Sequence, residues 1–155
     1  MVFMSRIKEG FLVATYGTLK KDYNNYKRYL TQSEYLGAGT TIHKYPLIIK
    51  DMPHMIEVEG IGFQVDVDVF TVSPEVLKDL DVLEGHPTWY KRKVIPIDLN
   101  GETYSCWVYF STTEVVGGNE LHKTYIQEPG KTYEQNCYPD ATVVEILQTS
   151  PKESI

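Results

Sequence analysis

The alternation of hydrophobic and polar residues predicts about six strands and two helices. In residues 63–69, apolar side chains at odd positions alternate with polar ones, which is typical of a half-buried strand. Phe11–Thr15 is a nearly continuous apolar run, as expected of a strand that is buried on both faces. The other predicted strands are residues 42–49, an edge strand because it contains Pro46, and residues 94–99, 104–110 and 141–147.

Two segments have the signals of helices. Tyrosine and leucine recur at three- and four-residue spacing within residues 18–30, which predicts a short helix. The second helix begins after Ser73, which can cap it, with Pro74 at the first helical position. It ends at about Glu84, because Gly85 supplies a stop signal.

The order of these elements predicts the fold class. The strands follow one another through short connections, including the hairpin turn Asn100-Gly101, without regular alternation of strand and helix. We therefore expect an α+β fold with a mainly antiparallel sheet or small barrel. The 155 residues fit a single domain, residues 1–155, with a core at about residues 10–147 and a polar tail at 148–155. The first eight residues or so are expected to be a loose leader.

Composition excludes several classes of protein. Hydrophobic residues make up 42% and charged residues 23%, as in ordinary globular domains. The net charge of -6 argues against nucleic acid and anionic membranes as partners. Two cysteines are too few for a disulfide framework, and neither a signal-peptide pattern nor an apolar run of membrane-spanning length is present. We expect a cytoplasmic protein, monomeric by default.

The turn Tyr16-Gly17-Thr18-Leu19 is the first candidate site. Its glycine allows a sharp bend and a close approach of a ligand to the backbone. Successive N–H groups between a strand and a helix can hold an anion, and the two lysines that follow add positive charge nearby. The alternative is an ordinary strand-to-helix turn.

Glu84 is the second candidate. It lies four residues after Leu80 and seven after Leu77, so it shares the apolar face of its helix. Burial and the negative end of the helix dipole both raise the pKa of such a carboxyl, toward the range of a general acid or base. The alternative is that Glu84 bends to solvent or pairs with Lys91 or Arg92.

Other polar residues carry weaker signals. Asp79 and Asp81 are expected to form a solvated face of the same helix. Cys106 lies mid-strand and could form a nucleophilic pair with His122, although a buried, inert thiol is the expected state. The four histidines lack the spacing of metal ligands, so no metal or other cofactor is expected.

Two motifs taken together resemble those of a known family. They are Tyr-Gly-Thr-Leu at residues 16–19 and Leu-Asp-Val-Leu-Glu-Gly-His-Pro-Thr-Trp-Tyr-Lys-Arg at residues 80–92, supported by Trp-Val-Tyr at residues 107–109. The chain resembles the gamma-glutamylcyclotransferase-like (AIG2-like) family, most of all its gamma-glutamylamine cyclotransferase branch, over about residues 11–110. The segment after His122 and Tyr125 departs from that branch, so the leaving group stays open.

The resemblance implies a small mixed β-barrel with flanking helices. It also implies a cofactor-free enzyme that acts on a small γ-glutamyl substrate and releases 5-oxoproline and a free amine or amino acid, with Glu84 as general base and acid. The alternatives are a non-catalytic binding module of the same fold and a hydrolase that depends on Cys106. The residues that the resemblance assigns to substrate binding are Tyr16, Gly17, Thr18, Leu19, Tyr90 and Tyr109.

Overall fold

The computed structural model describes residues 10–50, 52–113 and 120–126. These contain seven strands and two helices. The strands are β1 (Phe11–Thr15), β2 (Glu34–Tyr45), β3 (Leu47–Ile49), β4 (Pro53–Met55), β5 (Phe63–Val72), β6 (Tyr90–Leu99) and β7 (Glu102–Ser111), and the helices are α1 (Asn24–Tyr29) and α2 (Pro74–Glu84). The predicted leader, the strand at 141–147 and the polar tail lie outside the described residues.

Five of the strands close into a barrel in the order β1-β5-β2-β6-β7, and β3 and β4 form a separate two-stranded sheet. Neighbouring barrel strands are antiparallel, except where β7 meets β1 in a parallel pairing of Val13 with Trp107. The α+β fold with a mixed, mainly antiparallel barrel and flanking helices is thus confirmed.

Residue-specific signals define α2 and the β6–β7 hairpin. The Ser73 hydroxyl accepts a hydrogen bond of 3.1 Å from the Val76 N–H, and Gly85 ends α2 in the left-handed conformation at φ 63°. Asn100 and Gly101 both have positive φ, as a tight hairpin turn between twisted strands requires. The hairpin strands extend beyond the predicted 94–99 and 104–110.

Other predicted boundaries were also wrong. The strand predicted at 42–49 is divided, because Pro46 separates the end of β2 from β3. The first part of β2 was missed, since it contains two glycines, which disfavour strands in sequence patterns. The helix predicted over 18–30 is limited to α1, because the chain first makes turns closed by the hydrogen bonds Lys20 N to Gly17 O and Tyr23 N to Lys20 O.

The core has two main parts that meet at β1 and β5. Val65, Val67 and Val69 fill the barrel interior, as their alternation predicts. On the outer side, Phe70 packs in a cluster with Leu80 of α2. Because this face is covered, β5 is buried on both sides over its second half, and Asp68, predicted to face outward, is 8% exposed.

The described helices are short or amphipathic, and none of them is long and apolar enough to cross a membrane.

Candidate active site

A cavity lies at the end of β1, between α2 and the β6–β7 hairpin. Its volume is about 70 Å³, room for a few water molecules or a small ligand. The structure brings all seven predicted site residues into its wall: Tyr16, Gly17, Thr18, Leu19, Glu84, Tyr90 and Tyr109. Residues that are far apart in the chain therefore meet at one place.

The loop after β1 is fixed by α1. The Thr18 carbonyl accepts hydrogen bonds from the backbone N–H groups of Asn25 and Tyr26, at 3.0 and 3.2 Å, and the Asn25 amide donates to the Thr18 hydroxyl at 2.6 Å. Within the described part of the chain, the N–H groups of Gly17, Thr18 and Leu19 donate to no protein acceptor. Three successive donors are thus available to an anionic group in the cavity.

A glycine is required at position 17 because a neighbouring residue leaves no room for a side chain, not because the backbone is strained. A Cβ atom at this position would lie 2.7 Å from Cγ of Pro53, which is too close for any side chain without movement. Pro53 belongs to β4 and also lines the cavity. The absence of a side chain at Gly17 therefore lets β4 pack directly against the loop.

Glu84 is the last residue of α2, and its partly buried side chain lines the cavity. Burial raises the pKa of its carboxyl from the usual 4.5 to about 7. Solvent reaches the side chain through the cavity mouth while the protein surrounds most of it, so both protonation states are accessible near neutral pH. A carboxyl in this state can accept and return a proton.

The Arg92 cation is paired with Asp81 rather than with Glu84. Arg92 forms two hydrogen bonds with Asp81, from Nε to Oδ1 at 2.8 Å and from Nη2 to Oδ2 at 3.2 Å. The Tyr109 hydroxyl donates to Asp81 Oδ1 at 2.6 Å. Burial opposes ionisation of Asp81, but the hydrogen bonds from Arg92 and Tyr109 outweigh it and lower the carboxyl's pKa.

The expectation that Asp81 faces solvent was therefore wrong, whereas Asp79 is exposed as predicted. The proposed pairing of Glu84 with Arg92 is also wrong, because the guanidinium is committed to Asp81 and stacks over the Trp107 ring at 4.2 Å. Sequence reasoning missed Asp81 because it lies off the apolar stripe of α2, and only the barrel places β6 and β7 beside it.

The three tyrosines of the cavity wall are each held by a hydrogen bond. Tyr16 donates to the Tyr109 carbonyl at 2.6 Å, and Tyr90 donates to the Pro53 carbonyl at 2.9 Å. The Tyr90 ring also stacks on His54, with the planes 5° apart. Burial, followed by the charges of Tyr90 and Glu84, raises the pKa of Tyr16, so this phenol stays protonated.

The two lysines after the loop, which were expected to add positive charge nearby, do not line the cavity. The Lys20 ammonium donates to the Thr124 hydroxyl and the Tyr125 carbonyl, both at 3.1 Å. The Lys21 ammonium lies over the Tyr35 ring at 4.9 Å. An anion held at this loop would therefore be bound by its backbone N–H groups.

Cys106 is buried inside the barrel and does not line the cavity. Burial raises the pKa of its thiol to about 12, so the thiolate is disfavoured near neutral pH. The position and protonation of Cys106 therefore argue against a thiol hydrolase. Over residues 10–50, 52–113 and 120–126, no group of three or more His, Cys, Asp or Glu side chains is arranged to hold a metal ion.

Comparison with known proteins places the chain in a family. The family model described as gamma-glutamyl cyclotransferase, AIG2-like, matches residues 13–135. A provisionally named gamma-glutamylcyclotransferase of Methanocaldococcus jannaschii is 38% identical over 99 residues, 63% of this chain and 82% of that protein. The gamma-glutamylaminecyclotransferase of Rattus norvegicus is 30% identical over 116 residues, 65% of this chain and 78% of that protein.

The fold has a counterpart among solved structures. The crystal structure of an AIG2-like protein from Mus musculus superposes with a TM-score of 0.73 at 23% identity, covering 86% of this chain and 98% of that one. At 23% identity the structural similarity supports the fold alone, whereas membership of the family rests on the family model and the sequence relatives. The chain therefore belongs to the gamma-glutamyl cyclotransferase, AIG2-like family and is an enzyme of that type.

Proposed function

We propose that this chain converts a γ-glutamyl amide into 5-oxoproline and a free amine, with Glu84 moving the proton. The α-amine of the glutamyl group attacks its own γ-carbonyl carbon, which forms a five-membered ring. The bond between the γ-carbon and the leaving nitrogen then breaks. Because nucleophile and electrophile belong to one molecule, the enzyme mainly has to hold a folded conformer of the substrate.

Glu84 is suited to both proton transfers. The α-amine is protonated near neutral pH and becomes nucleophilic only when a base removes a proton. The leaving nitrogen must gain a proton to depart as an amine. One carboxyl with a pKa of about 7 can take a proton from the α-ammonium and give it to the leaving nitrogen. After the attack the ring nitrogen must lose one more proton, which Glu84 can pass to the departing amine, so that the amine leaves as an ammonium. The cycle then ends with Glu84 in its starting state.

The loop after β1 provides the electrostatic part of the proposal. The N–H groups of Gly17, Thr18 and Leu19 can bind the α-carboxylate of the substrate or the oxyanion that forms at the γ-carbon. The observation that carries the proposal is that the residues with these donors and Glu84 line the same small cavity.

The substrate class follows from the relatives. The rat relative is named a gamma-glutamylaminecyclotransferase, and the archaeal one is provisionally named a gamma-glutamylcyclotransferase. We infer that a γ-glutamyl group is the common part of the substrate. The candidate substrates are γ-glutamyl-ε-lysine, other γ-glutamylamines and γ-glutamyl dipeptides, and they differ in the amine that leaves.

The test is a panel assay of 5-oxoproline release from γ-glutamyl-ε-lysine, a γ-glutamyl alkylamine and a γ-glutamyl dipeptide. Glu84→Gln keeps the shape of the side chain but cannot take a proton, so we expect its kcat to fall by about 100-fold or more. Glu75→Gln removes an exposed carboxylate from the same helix and should leave kcat unchanged. Wild-type turnover by Glu84→Gln would refute the proposal, and binding of 5-oxoproline without turnover of any substrate would favour a binding module.

A further inference from the structure

The loop after β1 is joined to the barrel by a residue of β5, Asp68. In the register of the sheet, Asp68 lies opposite Thr15, the last residue of β1, and its backbone carbonyl accepts a hydrogen bond of 3.2 Å from the Thr15 hydroxyl. Its carboxylate oxygen Oδ2 accepts another hydrogen bond, of 2.9 Å, from the backbone N–H of Lys21. Asp68 therefore contacts the chain both before and after residues 16–19.

The contact with Lys21 ties the backbone of this loop to a barrel strand. Within the described part of the chain, the other hydrogen bonds of the backbone of residues 17–21 are local or go to α1. The Lys20 N–H donates to the Gly17 carbonyl at 3.0 Å, which closes a turn over the residues between them. The Lys21 N–H directly follows this turn and is the group that Asp68 holds. The position of the turn relative to β5 therefore depends on the Asp68 carboxylate.

The Asp68 carboxylate is itself held in place. Asp68 is buried on the outer face of β5, since the valines on either side of it in the sequence fill the barrel interior. Its oxygen Oδ1 accepts a hydrogen bond of 3.1 Å from the Tyr35 hydroxyl of β2. Burial of a carboxylate is costly unless hydrogen bonds replace the lost water, and a charged acceptor binds an N–H group more strongly than a neutral one. Asp68 is thus a fixed and strong acceptor for the Lys21 N–H.

We propose that Asp68 is a positioning residue, which holds the residues with the three N–H donors, Gly17, Thr18 and Leu19, in the wall of the cavity. The proposal rests on the proposed role of this loop in binding the γ-glutamyl substrate. Asp68 does not line the cavity, so it acts through the loop and not by contact with the substrate. When the carboxylate is removed, the Lys21 N–H loses its acceptor and the turn can move away from β5. The substrate should then bind less tightly.

The charge of Asp68 offers a second route to the loop, which the test has to separate from the first. Burial lowers the pKa of the Lys20 ammonium, and the negative charges of Asp68 and Asp66 oppose this change. Because that ammonium bonds to residues 124–125, loss of charge at Asp68 would weaken this junction too. The raised pKa of Glu84 is caused by burial, so removal of the Asp68 charge should affect proton transfer little. A variant that removes the charge but keeps an acceptor distinguishes the two routes.

The first part of the experiment measures KM and kcat for 5-oxoproline release from the γ-glutamyl compound that wild type converts fastest. In Asp68→Ala we expect KM to rise about tenfold or more, the scale of one hydrogen bond to a charged group, and kcat to stay within about threefold. Asp68→Asn keeps an oxygen for the Lys21 N–H, and its amide can donate to the Tyr35 hydroxyl, so its KM should stay within about twofold of wild type. A merely structural role would instead lower the amount of active enzyme, and therefore kcat, at constant KM.

Two control variants leave the contact between Asp68 and Lys21 in place. Tyr35→Phe removes the other hydrogen bond of the carboxylate, and Asp66→Ala removes a negative charge from the same strand. Both should keep KM within about twofold of wild type, because neither changes the acceptor of the Lys21 N–H.

The second part uses amide NMR of ¹⁵N-labelled protein and needs no turnover. In wild type the Lys21 amide hydrogen should exchange more slowly than those of Gly17, Thr18 and Leu19, because of these four it is the one with an acceptor in the described part of the chain. In Asp68→Ala this protection should be lost and the resonances of the other three amides should shift, whereas Asp68→Asn should match wild type. Circular dichroism establishes that the variants are folded. If Asp68→Ala is unfolded, Asp68→Thr replaces it, because threonine suits a strand and its hydroxyl is one bond too short to reach Lys21.

Three results would overturn the proposal. One is fast exchange of the Lys21 amide in wild type, and another is an unchanged KM with unchanged loop resonances in a folded Asp68→Ala or Asp68→Thr protein. The third is an equal rise of KM in Asp68→Asn and Asp68→Ala, because the effect would then depend on the charge. If wild type converts no γ-glutamyl compound, the proposed function is refuted, while the exchange rates and resonances still decide whether Asp68 positions the loop.

Discussion

The hydroxyl group of Tyr16 donates a hydrogen bond of 2.6 Å to the backbone carbonyl of Tyr109 and accepts one of 3.2 Å from the N–H of Met55. One phenol thereby joins the loop after β1 to β7 and to the end of β4. All three residues are buried, so water cannot replace either bond. The wall of the cavity is held together by this side chain as well as by the barrel.

Tyr16→Phe should therefore destabilise the protein without changing its fold. Removing the hydroxyl leaves a buried carbonyl and a buried N–H without their partner, which lowers the free energy of unfolding by about 1–3 kcal/mol. Urea denaturation at pH 7 measures the loss. The control is Tyr104→Phe, because that hydroxyl bonds to the exposed side chain of Glu102 and should matter little. Equal losses in both variants would contradict the role given to Tyr16.

The raised pKa of Glu84 makes stability depend on pH. In the unfolded chain the carboxyl titrates near 4.5, and in the folded protein near 7, so the folded state binds more protons between these values. The wild-type free energy of unfolding should therefore fall, relative to that of Glu84→Gln, as pH rises through this window. The variant should be more stable than wild type by up to about 3 kcal/mol at pH 8 and by little at pH 4.5.

Chemical denaturation of both proteins at pH 4.5, 6 and 8 tests this relation, with Glu75→Gln as the control for loss of an exposed carboxylate. A difference between wild type and Glu84→Gln that does not change with pH would mean that Glu84 titrates normally in the folded protein.

Gly17→Ala should weaken substrate binding by moving the loop. The new Cβ would meet Pro53 Cγ at 2.7 Å, so either the loop or β4 must shift. We expect KM for the γ-glutamyl substrate to rise about tenfold or more, in line with the loss of one or two hydrogen bonds to a charged group. Pro53→Ala removes the atom that the Cβ meets, and Gly17→Ala/Pro53→Ala should recover part of the loss. If KM does not recover in the double variant, the added Cβ interferes with the ligand directly rather than through its contact with Pro53 of β4.

Cys106→Ala should retain kcat/KM within about twofold, because the thiol lies inside the barrel and titrates far above neutral pH. In the folded wild type, iodoacetamide should leave Cys106 unlabelled, as peptide mass analysis can show. A large loss of activity in a folded Cys106→Ala protein would revive the thiol mechanism.

The features that the sequence predicted well depend on single residues or on one element. Ser73, Pro74 and Gly85 define the ends of α2 by their own backbone and side-chain chemistry. Helical periodicity alone put Glu84 on the apolar face of α2. The loop at residues 16–19 follows from the end of an apolar strand at a glycine, and the structure places it beside Glu84.

The features that could not be predicted depend on how elements meet. The hydrogen bonds of Asp81 join α2 to both strands of the hairpin, and they require the register that pairs Arg92 with Tyr109. Nothing within α2 indicates which strand will cover its polar side. The close approach of Pro53 to Gly17 likewise depends on the two-stranded sheet outside the barrel, which local patterns do not place.

The parallel pairing of β1 with β7 means that the barrel can close only after β7 has been synthesised. β1 leaves the ribosome first, yet both of its partner strands, β5 and β7, are synthesised much later. Pairings so distant in sequence form late, because a long loop must be closed before they are made. A nascent or truncated chain that stops before β7 therefore contains Glu84 and the loop after β1 but lacks Tyr109, which lines the cavity and accepts the hydrogen bond of Tyr16.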